Sequence, residues 1–174
     1  QRRQENLQDT PISIAAFNEE ALINRGVTNL RNITNFTPNV ELTVTNRPTA
    51  GGSAYAAWIR GVGTGDYAYP TDPGVGLYLD GVYLARTLGG LMSVTDIERI
   101  EVLRGPQGTL YGRNTIGGAV NVITTSPSVF GPAEGMFAVR LGEDERIDVQ
   151  GSINGPIVEG RVGGKLAFGV FTSE

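Results

Sequence analysis

The 174-residue chain contains no cysteine and no histidine. It therefore cannot build a Cys/His zinc site, a thiol nucleophile, an imidazole-based triad or a disulfide framework. Packing and hydrogen bonds must hold it together. Lysine is nearly absent as well: thirteen of the fourteen basic residues are arginine, and against eighteen Asp and Glu they leave a formal net charge of −4. That mildly acidic balance offers no basic face for a nucleic acid. No run of roughly 18 apolar residues occurs, which excludes a transmembrane helix. A transmembrane β-strand is not excluded, because its alternation barely registers in hydropathy. The start carries no signal-peptide pattern, and Gln1-Arg2-Arg3-Gln4 reads like an interior cut.

What the chain has in excess is glycine, 25 residues, and the distribution is uneven. Three lie in residues 1–60, fourteen in 61–131 and eight in 132–174. The helical signals sit in the glycine-poor first third. Asn18 followed by Glu19 and Glu20 reads as an N-cap with acidic residues at the positive end of a helix, stopped by Gly26. Thr28 can cap a second short helix with Leu30, Ile33 and Phe36 on one face, ended by Pro38.

Strand signals surround these helices. Ile12 to Ile14 and Val40 to Val44 alternate with period two, and Ala57 to Gly61 follows a polar stretch. Gly61 to Gly74 is loop chemistry throughout. Val75–Leu79 and Val82–Leu84 flank Asp80-Gly81, a pair suited to the two positive φ angles of a type I′ hairpin turn. Arg99–Leu103 and Ala119–Thr124 read as further strands, giving a small α+β domain that ends near Thr125.

From Gly135 the pattern changes. Phe137, Val139 and Leu141, then Ile147, Val149, Gly151 and Ile153, then Val162, Gly164, Leu166, Phe168 and Val170 alternate with polar or small residues, with a turn expected at Asn154-Gly155-Pro156. Segments of about ten residues with one apolar face suit transmembrane barrel strands. An antiparallel sheet with one wet face carries the same pattern and is the commoner architecture, so periodicity alone leaves both open.

Catalytic and nucleotide-binding readings fail on their missing parts. Gly61-Val62-Gly63-Thr64-Gly65 precedes Asp66, Tyr67, Pro70, Asp72 and Pro73 rather than a helix N-terminus, so no pyrophosphate site follows. Asp96, Glu98 and Glu101 could ligate a hard cation, but Arg99 and Arg104 are interleaved with them and ion pairing is the simpler reading. Arginine keeps its charge when buried and grips carboxylates in two places. A GC-rich genome would also favour arginine, yet it would not put Arg60, Arg99 and Arg104 beside or within strands.

Three stretches carry a family resemblance: IRGVG at 59–63, VGLYLDGVYLAR at 75–86 and DIERIEVLRGPQGTLYGRNTIGGAVNVIT at 96–124. They resemble the plug domain of TonB-dependent outer-membrane receptors, and ENLQDTPISIAAF at 5–17 resembles the opening of such plugs. The resemblance implies a small mixed-sheet α+β plug with short helices over residues 1–125, a linker at 126–134, and at 135–174 the first strands of an antiparallel transmembrane barrel. Barrels of this kind have about 22 strands, so the chain is expected to be a fragment. If made alone, residues 1–125 should fold while 135–174 form at best an open sheet.

The implied function is gating of energy-coupled nutrient uptake across the outer membrane of a Gram-negative cell. The substrate implied is most commonly a ferric siderophore, with vitamin B12, haem and glycans open. No covalent chemistry, cofactor or metal is expected, and the chain is not read as an enzyme. The implied partners are the TonB energy-transducing complex, through a segment at or upstream of residue 1, the small-molecule substrate and outer-membrane lipid. The alternative is a stand-alone soluble ligand-binding or interaction module.

Several residues acquire expected roles from the resemblance. Arg60 and Arg104 match the family's IRG and LRGP arginines, which pair with barrel carboxylates; Glu98 and Glu101 join the same ionic set. Gly61, Gly63, Asp80, Gly81, Gly105, Gly108, Gly112, Gly117 and Gly118 would serve turns and close approaches. If the Asp80-Gly81 turn points to the periplasm, loops 62–74 and 85–92 lie outside, and Tyr67, Tyr69 and Arg86 become candidate substrate contacts. Packing of the tyrosines against barrel loops is the alternative.

Overall fold

A computed structural model describes residues 13–27, 29–45, 54–65, 72–84, 96–142 and 147–171. The chain divides into two compact units, residues 1–92 with 99–123, and residues 93–98 with 124–174.

In the first unit β1 (Ser13–Asn18) runs directly into helix α1 (Glu19–Asn24). The Asn18 side chain accepts from the Ala21 N–H at 3.0 Å, so the expected cap is the observed one. Gly26, at φ 64°, turns the chain out of the helix. The second helix is a 3-10 helix, Leu30–Phe36, and its cap is Asn29 rather than the expected Thr28. Asn29 and Asn32 exchange side-chain-to-backbone hydrogen bonds of 3.0 and 3.2 Å, a reciprocal box that Thr28, one residue too early, could not close. Its ending fits the restriction on a residue preceding proline: Thr37, before Pro38, is extended.

Two sheets complete this unit. One is antiparallel, β2 (Val40–Thr45), β3 (Ala54–Ile59) and the short β4 (Val62–Gly63). The glycine-rich 61–74 stretch is thus not loop throughout, since Val62 and Gly63 pair with Ile59 and Trp58. Gly63 makes that possible: a Cβ there would overlap the Ala57 carbonyl oxygen and the Trp58 ring. The other sheet contains β5 (Val75–Leu79), β6 (Val82–Tyr83), β7 (Ile97–Arg104) and β8 (Gly118–Thr124) together with β1, in the order β1-β7-β8-β5-β6. β1 and β7 are antiparallel, whereas β5 and β8 are parallel and central. Their run of buried residues follows from covering both faces of a parallel pair. Asp80 and Gly81, at φ 50° and 78°, make the expected β5–β6 hairpin turn. Ile100, Val102, Leu103, Val120 and Val122 are fully buried in this sheet, and Leu22, Leu30, Ile33, Leu42 and Ile59 in the elements around it. One short helix, α2 (Gly108–Tyr111), falls where the sequence shows only a glycine-rich connection.

The second unit holds an antiparallel sheet of β9 (Glu134–Leu141), β10 (Ile147–Val158) and β11 (Val162–Phe171), with β10 in the middle. The turn expected at Asn154-Gly155-Pro156 is not there. β10 continues through those residues, with Gly155 opposite Gly164, and the register shifts at a bulge between Pro156 and Val158. A bulge tolerates a proline that donates no hydrogen bond. The chain reverses instead at 159–161, where Gly160 has φ 70°.

Candidate functional site

The LRGP arginine stands at the end of β7. Arg104 lies opposite Ser13 of β1, and its Nε is shut off from water with no hydrogen-bond partner among the described residues. An unpaired guanidinium nitrogen in that position is costly and calls for an acceptor. Arg60 is exposed at the β3–β4 turn in the left-handed region, φ 53°, and its N–H donates to the Asn39 carbonyl at 2.8 Å. Its Nη1 lies 3.9 Å from where a Cβ on Gly105 would project, so the two motif arginines sit at one end of this unit. Gly105 bonds across to the Gly117 carbonyl at 2.9 Å, and Gly117 to the Gly74 carbonyl at 2.9 Å, tying three strand ends together.

Of the two acids grouped with these arginines, Glu101 is engaged locally. It accepts from Arg99 Nε at 2.9 Å and from Asn121 Nδ2 at 3.3 Å. Glu98 belongs to the second compact unit. Among the glycines, Gly118 is the most constrained: its φ is 148°, and a Cβ would overlap the Leu103 carbonyl oxygen. Gly61, Gly81, Gly105 and Gly112 have positive φ, and a Gly117 Cβ would lie 2.7 Å from the Val62 carbonyl. Gly108 shows neither constraint.

Between β5, β6 and α2 lies a tyrosine cluster that the sequence reading does not single out. Tyr78 donates to the Tyr111 carbonyl at 2.6 Å, and Tyr83 accepts from Asn114 at 2.8 Å. The Tyr78 ring stands 5.4 Å from Tyr83 and 4.8 Å, edge-on, from Tyr111. Burial pushes the Tyr78 phenol up from its ordinary value, helped by Tyr83; burial, then Glu101 and Tyr78, do the same for Tyr111. Both therefore stay protonated donors well above neutral pH. The signal was present in the hairpin register, which sets Tyr78 opposite Tyr83.

The second unit inverts the polarity of a soluble sheet. Phe137, Leu141, Leu166 and Val170 are exposed, each by more than 60 %, whereas Asp148 and Gln150 on the opposite face of β10 are 3 % and 5 % exposed. On the apolar face Gly151 lies in register between Phe137 and Phe168, whose rings close over it. Arg140 stands opposite Asp148 on the polar face. An exposed apolar face opposite a covered polar one is the reverse of an ordinary antiparallel sheet with one wet face, and it is the polarity that a barrel wall has in lipid.

Comparison with known proteins decides the family. Residues 6–119 match the model of the TonB-dependent Receptor Plug Domain. The chain belongs to the TonB-dependent receptor family. It is 36% identical over 106 residues to the pesticin receptor of Yersinia pestis, which covers 60% of this chain and 15% of that protein. Against the iron-regulated outer membrane virulence protein of Vibrio cholerae it is 33% identical over 131 residues, 68% of this chain and 18% of the relative. Among solved structures it resembles the ferric yersiniabactin uptake receptor FyuA of Yersinia pestis, with a TM-score of 0.77, 26% identity, and 90% of this chain against 23% of that one. The chain thus spans roughly a seventh to a quarter of the length of these three proteins. Its mostly-sheet plug with few helices is the family's plug fold, and these relatives are receptors of the Gram-negative outer membrane rather than enzymes. Tyr67, Tyr69 and Arg86, the candidate substrate contacts, lie outside the described residues.

Proposed function

We propose that this chain is the plug and the first barrel strands of a receptor that gates energy-coupled uptake of a scarce nutrient, a ferric siderophore. The observation that carries the reading is the joining of two things in one chain: a plug-family domain and, after it, strands with apolar residues outward and polar residues inward. A stand-alone soluble module would leave that apolar face in water. The iron-regulated relative and the ferric yersiniabactin receptor support iron as the cargo.

In this reading the plug closes the lumen of a wider barrel, with residues 1–125 as plug, 126–134 as linker and 135–174 as wall. Arg60 and Arg104 supply guanidinium forks to carboxylates of the barrel wall, and Arg104 with its unpartnered Nε is the stronger candidate. Glu98 and Glu101 complete the ionic set, with Glu101 steadying Arg99 from inside the plug. Loops 62–74 and 85–92 present Tyr67, Tyr69 and Arg86 to the substrate. The TonB complex draws on the N-terminal side of the plug, and lipid covers the outer face of the strands. No covalent step, cofactor or metal is called for.

Deletion of the gene should abolish uptake of one or a few ferric siderophores by iron-starved cells, and the full-length gene should restore it. A deletion strain that takes up every ferric siderophore, haem and cobalamin at the parental rate refutes the transport reading.

A further inference from the structure

The chain's sole lysine sits on β11 and reaches back to both ends of the plug's junction with the wall strands. The Lys165 ammonium pairs with the Asp96 carboxylate and also donates to the main-chain carbonyl of Thr125. Thr125 in turn donates its N–H to the Asp96 carbonyl at 3.2 Å. Asp96 precedes β7 and Thr125 follows β8, so one cation clasps the root of the strand that enters and the end of the strand that leaves. Both charged side chains are largely covered, at 25% and 10% exposure, where an ion pair is less screened than on an open surface. Asp96 holds φ at 61°, a backbone state a non-glycine residue keeps only when its surroundings impose it. The residue type fits the task. A compact ammonium has three donors that can serve two separate oxygens, whereas the planar arginine fork used at thirteen other positions favours one flat acceptor.

Two further observations mark where this clasp stops acting. Residues 96–98 and 124–125 belong to the compact unit of β9–β11, while 99–123 belong to the other. The β1–β7 pairing covers the same division: Ser13 to Asn18 pair with Arg104 to Arg99, and none of them with Ile97 or Glu98. Withdrawal of β1 would strip the 99–104 half of β7 and leave its root untouched.

We propose that Lys165 is a positioning residue that fixes the stationary end of the plug. It holds residues 96–98 and 124–125 to the barrel strand while the rearrangement that opens the lumen is confined to the other unit, residues 1–92 and 99–123. This inference rests on the transport reading above. Asp96 and Thr125 stay beside Lys165 through each transport cycle, whereas β1 parts from β7.

The test uses the full-length receptor in cells, with two cysteine pairs closed and reopened reversibly. Asp96→Cys with Lys165→Cys is bridged by a short bis-methanethiosulfonate, and Ala15→Cys with Val102→Cys is joined as a disulfide across β1 and β7. Uptake of a radioiron-loaded panel of catecholate, hydroxamate and phenolate siderophores is read before and after reduction. Closing 96–165 should leave uptake at its reduced level, and closing 15–102 should lower it about tenfold, with recovery on reduction. Loss of uptake on closing 96–165, or full uptake with 15–102 closed, overturns the proposal. If wild type and reduced variants take up nothing, the transport reading fails. The clasp then stands or falls on hydrogen exchange in detergent-solubilised receptor. There Lys165→Met should speed exchange of the Thr125 amide about tenfold over wild type while leaving amides of β8 unchanged. Equal rates at Thr125 overturn the clasp.

Discussion

Arg104 is the residue at which the cost of the fold and its use meet. Its Nε is shut away from water with no partner among the described residues, a state that costs about 1–3 kcal/mol or more for a charged group. A receptor would offset that cost if a carboxylate of the barrel wall met the guanidinium in the closed state. Breaking such a pair exposes uncompensated charge, which makes it a poor source of net stability but a usable latch. Arg60, at the same end and exposed, would share the latch. Replacing both with alanine in the full-length receptor should loosen the plug. The expected outcome is higher single-channel leak in planar bilayers and greater sensitivity of cells to large antibiotics; wild-type conductance and sensitivity would remove both arginines from the latch.

At the scale of elements, the outer face of β9–β11 is the feature most at odds with a protein in water. Gly151 is flanked by Phe137 and Phe168 across three strands, so two rings cover the one position without a side chain. In lipid that row is satisfied. A Phe168→Arg change in the full-length receptor should cost about 2–4 kcal/mol near the bilayer midplane, and Phe168→Leu much less. Outer-membrane fractions should then contain little heat-modifiable, folded receptor for Phe168→Arg and a normal amount for Phe168→Leu; equal amounts would mean this face does not meet lipid. The alternation of these strands was legible, because a period of two survives any register. Their polarity was not, because the same pattern serves either an inward or an outward apolar face, and burial of Asp148 and Gln150 is what chooses. The Asn154-Gly155-Pro156 turn was misplaced for a related reason. Turn residues in a long strand can equally make a bulge, and the paired glycines 155 and 164 keep β10 running. Asn18 and Asp80-Gly81 were readable because caps and tight turns are local. The Tyr78–Tyr83 pair follows from the local hairpin, but the addition of Tyr111 to it and the Lys165–Asp96 pair join residues 28 or more apart in sequence, and no local pattern announces them. The candidate site was legible as motifs, IRG and LRGP, while the state of each arginine was not.

For the molecule as a whole, the two compact units differ in what they need from their surroundings. The first buries its own core, with Leu22, Ile33, Leu42, Ile59, Ile100, Leu103 and Val120 at or near zero exposure. The β9–β11 sheet instead presents an apolar face to solvent and pairs with nothing, among the described residues, along the outer edges of β9 and β11. Three strands with open edges are prone to recruit another strand. Produced alone in detergent-free buffer, the 174-residue chain should therefore behave unevenly towards limited proteolysis. A resistant piece ending near Thr125 is expected, with rapid loss of 135–174 or its passage into aggregates, and mass spectrometry of the resistant piece reads the boundary. The Lys165 clasp sharpens the expectation. Its ammonium joins β11 to Asp96, just before β7, and to the Thr125 carbonyl, just after β8, so cleavage should begin in the wall strands and stop where residues 96–98 lose their partner. Resistance extending through Phe171 in the absence of lipid or detergent would show a sheet stable in water, and with it the soluble-module reading that the exposed face argues against.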